Sequence, residues 1–178
     1  MYIVDDLDKV IALRDVPRCD AGAPSPIVLS DEQRLYLSYW EAGGSDYFAK
    51  TASLAVVRFL RPRMHYFGPP NDEAIAGHPL AKRGLRSYAA FWIQDSSLIR
   101  RLEIMNSVHR RHDPSSFKAL THFIFTFHDS TFECVAELGE STIEEVGSNE
   151  EYVRTLRLFE SGEPTNKLWT PFRTAHEG

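Results

Sequence analysis

Residues 121–138, THFIFTFHDSTFECVAEL, alternate large apolar side chains with polar ones on both sides of a short polar loop. This alternation predicts a β-hairpin with one buried face. With Asp129 and Ser130 as the loop, Phe125 lies opposite Cys134 and His128 opposite Thr131. A shift of one residue would place Phe125 opposite Glu133 and mix the faces, so the pattern selects this register. The apolar face then holds Phe123, Phe125, Phe127, Phe132, Cys134, Ala136 and Leu138, and the polar face holds His122, Thr126, His128, Thr131, Glu133 and Glu137.

The polar face of this hairpin is the best candidate site in the sequence. His128 and Glu133 are predicted to be catalytic, because a histidine held by a carboxylate can act as a general base near neutral pH. A solvent-exposed cross-strand ladder of the same residues is the alternative interpretation. The rigid Gly-Pro-Pro turn at 68–70 could bring further polar side chains to this face. The residues predicted to bind a ligand are His65, Asn71, Asp72, Glu73, His78 and His122.

The histidines also raise the question of a metal site, since six of the seven fall between His65 and His128. Their spacing matches neither a HExxH helix nor a CxxC pair. An open site made by His128, Glu133 and one further histidine is chemically feasible, so the metal content stays open. The chain has no glycine-rich phosphate loop, and no nucleotide cofactor is expected.

The rest of the chain predicts an α+β fold. Strands are predicted at 53–60 (SLAVVRFL), at 88–94 (YAAFWIQ) and, on an edge or bend after Pro62, toward 65–67. Helices are predicted after the capping residue Asn71, after 95–97, and from 148–149 to Gly162. We expect a single globular domain over 1–178, built as a mostly antiparallel sheet with two or three helices on one face. Residues 15–26 are predicted to be a loop, and the tail at 163–178 is predicted to pack on the domain.

Residues 27–40 allow two interpretations. Ser30 and Gln33 could form a capping box that opens a helix. Alternatively, 27–30 and 34–40 are two strands around Asp31, Glu32 and Gln33. The density of aromatic residues favours the strands.

Composition and charge narrow the class of protein. The formal net charge of −5 and the pI near 5.8 argue against unaided binding to nucleic acid or to an anionic membrane. Arginines cluster at 58–63 and at 100–111; we interpret them as a solvated helix face, with a phosphate site as the alternative. Two distant cysteines, Cys19 and Cys134, predict no disulfide framework, and the N-terminus lacks a signal-peptide pattern. We expect a soluble cytoplasmic protein.

Two segments carry a family resemblance. FGPPNDEAIAGHPLAKRGL at 67–85 and HFIFTFHDSTFECVAE at 122–137 resemble a family of uncharacterised bacterial proteins. The resemblance covers roughly the middle half of the chain, and segments of this length are specific to a family. It implies a bacterial, cytoplasmic origin and supplies no activity, ligand or partner.

Two functions from different classes are compatible with these features. The first, which we favour, is a small acidic binding or accessory protein of the immunity type, using exposed acidic stretches such as 137–149 against a protein partner. The second is a small hydrolase-like enzyme acting on a small molecule from the His128 and Glu133 face. Geometry separates them: a pocket in which loop and hairpin residues converge supports the enzyme, and a flat polar sheet supports the binding protein.

Overall fold

The computed structural model describes residues 4–43, 51–147, 149–164 and 168–174. Within these ranges the chain forms ten strands, three α-helices and two 3-10 turns. The strands are β1 (Lys9–Ala12), β2 (Ile27–Ser30), β3 (Arg34–Trp40), β4 (Thr51–Leu60), β5 (Met64–Gly68), β6 (Ala89–Gln94), β7 (Thr121–Thr126), β8 (Thr131–Ala136), β9 (Leu138–Gly147) and β10 (Thr170–Pro171). The helices are α1 (Ser97–Asn106), α2 (Ser115–Lys118) and α3 (Glu151–Ser161), and the 3-10 turns are Ile75–Gly77 and Ala81–Arg83.

The strands form two antiparallel sheets, one in each of two compact units. The first unit comprises residues 1–12 and 63–137, and the second comprises 13–62 and 138–178. The α+β class with mostly antiparallel pairing is confirmed, but the expected single sheet with helices on one face is wrong. The physical reason is strand pairing: β4 pairs with β9 along all its length, from Thr51 to Leu60, and not with the β7–β8 hairpin. That the two units make one globular domain stays a prediction.

The first unit is built around the predicted hairpin. Its sheet has the order β1-β6-β7-β8-β5, and all residues of β7 and β8 are buried. The register differs by two residues from the predicted one, because Phe125 pairs with Phe132 and Phe123 pairs with Cys134. The turn is His128-Asp129, closed by the Phe127 N–H donating to the Ser130 carbonyl at 2.8 Å. Since a shift of two keeps every side chain on its face, the predicted division into an apolar and a polar face is retained.

Local capping residues explain the short elements of this unit. The Ser96 hydroxyl accepts from the Ile99 N–H, so α1 begins where the sequence predicts. Asn71 Oδ1 accepts from the Ala74 N–H at 3.1 Å, but the segment that follows is a 3-10 turn and not an α-helix. β5 lies at the edge of the sheet, as its neighbour Pro62 predicts.

The second unit has the strand order β10-β9-β4-β3-β2, and α3 packs on β2 and β3. The β2–β3 hairpin confirms the strand interpretation of residues 27–40. Asp31 stabilises the turn between the two strands, because its Oδ1 accepts hydrogen bonds from the N–H groups of Gln33 at 2.8 Å and Arg34 at 2.7 Å. An aspartate turn of this kind reverses the chain and competes with helix formation.

The acidic stretch at 137–149 is not the exposed surface that we expected. Most of it is β9, which lies between β10 and β4. Glu144 is 1% exposed, and its Oε2 accepts from Arg154 Nε at 3.0 Å. Glu140 likewise accepts from Arg58 Nε at 2.6 Å. Both carboxylates therefore form ion pairs with arginines of the same unit.

The loop and the tail complete the second unit. Residues 15–26 hold no helix or strand apart from the bridge between Cys19 and Glu41. In the tail, Phe172 is 1% exposed and Trp169 contacts Tyr36 edge to face; residues 165–167 and 175–178 lie outside the described part. Across the described ranges, none of the helices combines the length and hydropathy needed to cross a bilayer.

Candidate functional site

The loop that follows β5 is hydrogen-bonded to the β7–β8 hairpin. The Asp72 N–H donates to the His128 carbonyl at 2.9 Å, and the Thr131 hydroxyl donates to the Pro70 carbonyl at 2.9 Å. Farther along, His78 contacts Glu133. The predicted convergence of loop and hairpin residues therefore takes place, and it produces two separate clusters.

The first cluster is buried and consists of His78, His122 and Glu133. Nε2 of His78 lies 2.7 Å from Oε1 of Glu133, and Nε2 of His122 lies 3.0 Å from Oε2. Both histidine side chains are fully buried, and that of Glu133 is 6% exposed. One carboxylate thus joins the loop to two neighbouring strands beneath the surface.

The outer nitrogens of the two histidines determine how the protons are arranged. The Leu80 N–H donates to His78 Nδ1 at 3.1 Å, so the ring proton of His78 lies on Nε2 and is donated to Glu133. Ser96 Oγ lies 2.9 Å from His122 Nδ1, and it can donate its hydroxyl proton there while Nε2–H of His122 is donated to Glu133. Every polar group of the cluster has a partner in this arrangement, which was assigned from the hydrogen bonds.

Glu133 is held as a carboxylate. Desolvation by burial is the largest single influence and raises the pKa, but the hydrogen bonds from His122 and His78 outweigh it. The net result is a pKa lowered from 4.5 to about 2. A buried, fully bonded carboxylate of this kind holds structure together and is not accessible to a substrate.

The second cluster lies at the surface and consists of Asp72, Tyr88 and His128. His128 Nδ1 is 3.1 Å from Asp72 Oδ2 and 2.7 Å from the Tyr88 hydroxyl, which itself donates to Asp72 Oδ2. The rings of Tyr88 and His128 are stacked at 6.2 Å. With Tyr88 donating to Asp72, Nδ1–H of His128 is the donor to this pair, and Nε2 is left with its lone pair.

Asp72 is well suited to hold this histidine. The Tyr88 hydroxyl, ahead of the Glu73 N–H and His128, keeps the pKa of Asp72 below its ordinary value despite desolvation. Its side chain is 17% exposed, whereas that of His128 is 44% exposed. The carboxylate is thus the less exposed member of the pair, and the imidazole is the more exposed one.

Tyr88 has an unusual backbone. Its φ is +58°, in the left-handed region, although it is a bulky residue. Such a conformation typically costs about 1–2 kcal/mol and clusters at functional positions. The two hydrogen-bond partners of its hydroxyl, Asp72 and His128, give a reason for it.

An open depression of about 550 Å³ adjoins this surface cluster. Asn71 and Asp129, the sequence neighbours of Asp72 and His128, form part of it. The acidic Asp129 is also 4.0 Å from His128 Nε2, measured to its Oδ1. The lining residues are Gly68, Pro69, Pro70, Asn71, Ala74, Gly77 and Asp129.

The structure distributes the predicted site residues unevenly. His128 and Glu133, predicted as a pair, take different partners because the shifted register puts His128 in the turn and Glu133 in the ladder. His78 and His122 join Glu133, and Asp72 joins His128. His65 lies exposed on the edge strand β5, Glu73 is exposed, and Asn71 caps a turn.

Sequence reasoning missed Tyr88 and Ser96 as members of these clusters. Tyr88 was expected to be an ordinary strand residue, and Ser96 only a helix cap. The serine does cap α1, but it also contacts His122. Neither side chain stands in a motif that would have identified it, because both reach their partners through tertiary contacts.

Both cysteines lie in surroundings that disfavour the thiolate form. Cys134 is buried, and burial raises the pKa of its thiol well above the ordinary value, which suits a small apolar side chain better than a nucleophile. Burial also raises the pKa of Cys19 to about 11. Among the described residues, no three His, Cys, Asp or Glu side chains are grouped so that they could hold a metal ion.

A scan against protein-family models and searches of curated proteins and of solved structures found no match to this chain.

Proposed function

We propose that this protein is a small hydrolase-like enzyme in which His128 is the general base. The observation that carries the proposal is the Asp72–His128 pair, with Tyr88 bonded to both and with the next residue, Asp129, lining an open depression. The hairpin turn supplies the histidine, and the Gly-Pro-Pro loop supplies the carboxylate.

Orientation is the first contribution of these residues. Asp72 accepts the Nδ1 proton of His128, so the Nε2 lone pair lies on the side of the ring away from Asp72. An aspartate in this place also stabilises the imidazolium that forms when Nε2 takes up a proton. Tyr88 holds Asp72 in position and stacks against the imidazole.

The reaction that follows from this arrangement is attack of water on an acyl group. Nε2 of His128 takes a proton from the water molecule as its oxygen bonds to the carbonyl carbon. The imidazolium then donates that proton to the departing alcohol or amine, and the histidine is regenerated. Positioned general-base catalysis of this kind contributes roughly 10²–10⁴-fold to a rate.

The surroundings favour an uncharged acyl substrate over a phosphate ester. Most of the lining of the depression is apolar, with prolines, glycines and Ala74, and its charged member is Asp129. Asp72 adds a second negative charge, at Nδ1 of His128, whereas Asp129 lies near Nε2. Two carboxylates so close to the base would repel an anionic group.

The buried cluster supports this site and takes no part in the chemistry. His78 and Glu133 anchor the far end of the loop that carries Asp72, and both are shielded from solvent. A substrate cannot reach them without opening the unit. Their role in the proposal is to keep the loop on the hairpin.

The test is a hydrolysis assay with chromogenic p-nitrophenyl esters of increasing acyl length, together with p-nitrophenyl phosphate. The variants are His128→Gln and Asp72→Asn, with His65→Gln as the matched control because His65 is an exposed histidine outside both clusters. We expect ester hydrolysis by the unmodified protein, a loss of about 10²-fold or more in kcat/KM for His128→Gln, and no change for the control. Phosphate hydrolysis should be absent. Equal rates for the unmodified protein and His128→Gln on every ester would refute the proposal.

A second candidate function is the acidic binding or accessory protein. The net charge of −5 still supports it, but the acidic stretch at 137–149 no longer does, because Glu140 and Glu144 are paired within the second unit. The observation that favours binding is instead an exposed apolar surface at the end of α1.

A further inference from the structure

Helix α1 carries apolar side chains on two sides. On the inner side Leu98 is buried, and Ile99 and Leu102 pack against the same small core cluster as Val135. On the outer side Ile104 and Met105 are 70% and 72% exposed, and in the turn that follows Val108 is 89% exposed. One apolar side suffices to anchor a surface helix, so the second has no role within the first unit.

The three outer side chains are spaced so that they can form one strip. Val108 follows Ile104 by four residues and Met105 by three, the spacing that places side chains side by side on a helix. The chain keeps turning in the same sense after α1, because the Ser107 N–H donates to the Ile104 carbonyl and the His109 N–H to the Asn106 carbonyl. We call Ile104, Met105 and Val108 the α1 strip. Exposed large apolar groups that are contiguous mark interaction surfaces.

Three arginines flank the α1 strip in the sequence. Arg101 precedes it by one helical turn, and Arg110 and Arg111 follow it. All three are exposed, and within the described residues none of them has an ion-pair partner. Arg100, in contrast, is bound to Asp5 and to the Asp95 carbonyl. The cations around the strip are therefore available to a binding partner.

We infer that the α1 strip and its three arginines form a docking surface for a segment of a partner protein that carries both carboxylates and large apolar side chains. The apolar groups would enter the contact with the strip, and the carboxylates would pair with Arg101, Arg110 and Arg111. Burying three large side chains supplies the affinity, and charge pairing supplies orientation and selectivity. This inference is independent of the proposed hydrolase site.

The overall charge favours a compact acidic segment over an extended polyanion. A membrane surface or a nucleic acid would face the whole protein, which is negatively charged by five, while the cationic area is limited to three arginines. Each basic residue contributes only about 1 kcal/mol to binding at an anionic membrane. A short acidic peptide can contact the three arginines without contacting the negatively charged remainder of the surface.

The strip also disfavours a second copy of this chain as the occupant. In a two-fold contact the same surface meets itself, so the three arginines of one copy would approach those of the other. Like charges brought together in this way oppose association.

The length of the α1 strip limits the size of the partner segment. The two helical turns from Arg101 to Val108 span about 10 Å, enough for a short amphipathic helix or an extended segment of about four residues.

The test is a selection of random 12-residue peptides displayed on phage, using the full chain as the bait. Selected peptides are then synthesised with a fluorophore, and their Kd is measured by fluorescence anisotropy at two salt concentrations. We expect sequences with at least two Asp or Glu and at least two large apolar residues, with binding that weakens as salt increases. Two variants should each weaken binding by at least tenfold: I104S/M105S/V108S, and R101E/R110E/R111E.

The matched control is Y152S/V153S, which removes two exposed apolar side chains from α3. All substituted side chains are on the surface, so the variants should melt within a few degrees of the unmodified protein, which confirms folding. In parallel, vesicles containing phosphatidylserine and a DNA duplex are offered to the protein, and its mass in solution is measured across concentrations.

The inference is overturned if the selected peptides lack acidic residues, or if the triple variants bind them as well as the control does. It is also overturned if vesicles or DNA bind through the α1 strip while acidic peptides do not. The inference is also overturned if the protein forms concentration-dependent dimers and I104S/M105S/V108S abolishes them. The occupant of the α1 strip would then be a second copy of this chain.

Discussion

Glu133→Gln is the substitution that tests the buried cluster most directly. Glu133 accepts one N–H from His78 and one from His122. A glutamine of the same shape offers one acceptor oxygen and one NH2 group, so in the proton arrangement assigned above one histidine N–H faces another donor. A buried donor without its partner costs about 1–3 kcal/mol, and the remaining bond loses its charge, worth about 1 kcal/mol. We expect a loss of about 3 kcal/mol in the free energy of unfolding.

The lowered pKa of Glu133, which has the same two histidine contacts as its cause, corresponds to a similar free energy. Its pKa falls from 4.5 to about 2 on folding, and about 1.4 kcal/mol per unit makes this about 3 kcal/mol. Because the folded pKa is the lower one, the stabilisation is complete above pH 4.5 and is lost as the pH falls toward 2. The difference between the unmodified protein and Glu133→Gln should therefore shrink over that pH range.

The assay is chemical denaturation followed by tryptophan fluorescence, at pH 7 and at steps from pH 5 to pH 2. Glu145→Gln is the matched control, since Glu145 is exposed on β9 and the same atoms change. It should alter the free energy of unfolding by no more than about 0.5 kcal/mol. A change below about 1 kcal/mol in Glu133→Gln at pH 7, or a difference that persists undiminished at pH 2, would refute the reasoning.

Three further predictions concern other parts of the molecule. Phe125→Ala should cost about 3–5 kcal/mol, since Phe125 is 2% exposed and packs against Phe132, whereas His128→Ala should cost about 1 kcal/mol or less; equal shifts in a denaturant melt would contradict this. Tyr88→Phe removes the largest influence that lowers the pKa of Asp72, so this pKa should rise toward its ordinary value in a carboxyl NMR titration; an unchanged titration would show that Tyr88 does not support the site. Arg154→Met removes the ion pair between Arg154 and the buried Glu144 and should cost about 3–5 kcal/mol in the same denaturant assay, while Arg157→Met on the same helix should have little effect.

Local structure could be predicted from the sequence to a large extent. Alternation indicated β3, β7 and β8, short apolar segments indicated β4 and β6, and the capping residue Ser96 located the start of α1. These signals depend on neighbours within a few residues. The hairpin register was misassigned because shifts of two residues leave both faces unchanged, and only the turn geometry at His128 and Asp129 distinguishes them.

Long-range pairing could not be predicted in the same way. Nothing local indicates that β4 takes β9 as its partner and not the β7–β8 hairpin, because an apolar strand of this kind fits several partners. The site shows the same limit. His78 and Glu133 are 55 positions apart, and Tyr88 meets His128 across 40 positions. Sequence identified most of the chemical groups, but tertiary pairing decided which of them meet.

The two units are interleaved along the chain, and this determines the order in which their sheets can form during synthesis. The sheet of the first unit is complete once residue 137 has left the ribosome, because all its strands lie between Lys9 and Ala136. β4, by contrast, is translated before four of the five strands of that sheet and must wait for β9, the strand that pairs along its length. During that interval one edge of an apolar ten-residue strand is unpaired, which is the condition in which nascent chains aggregate. Slow translation between residues 60 and 138 would prolong this exposure, so the yield of soluble protein should depend on how fast the ribosome covers that interval.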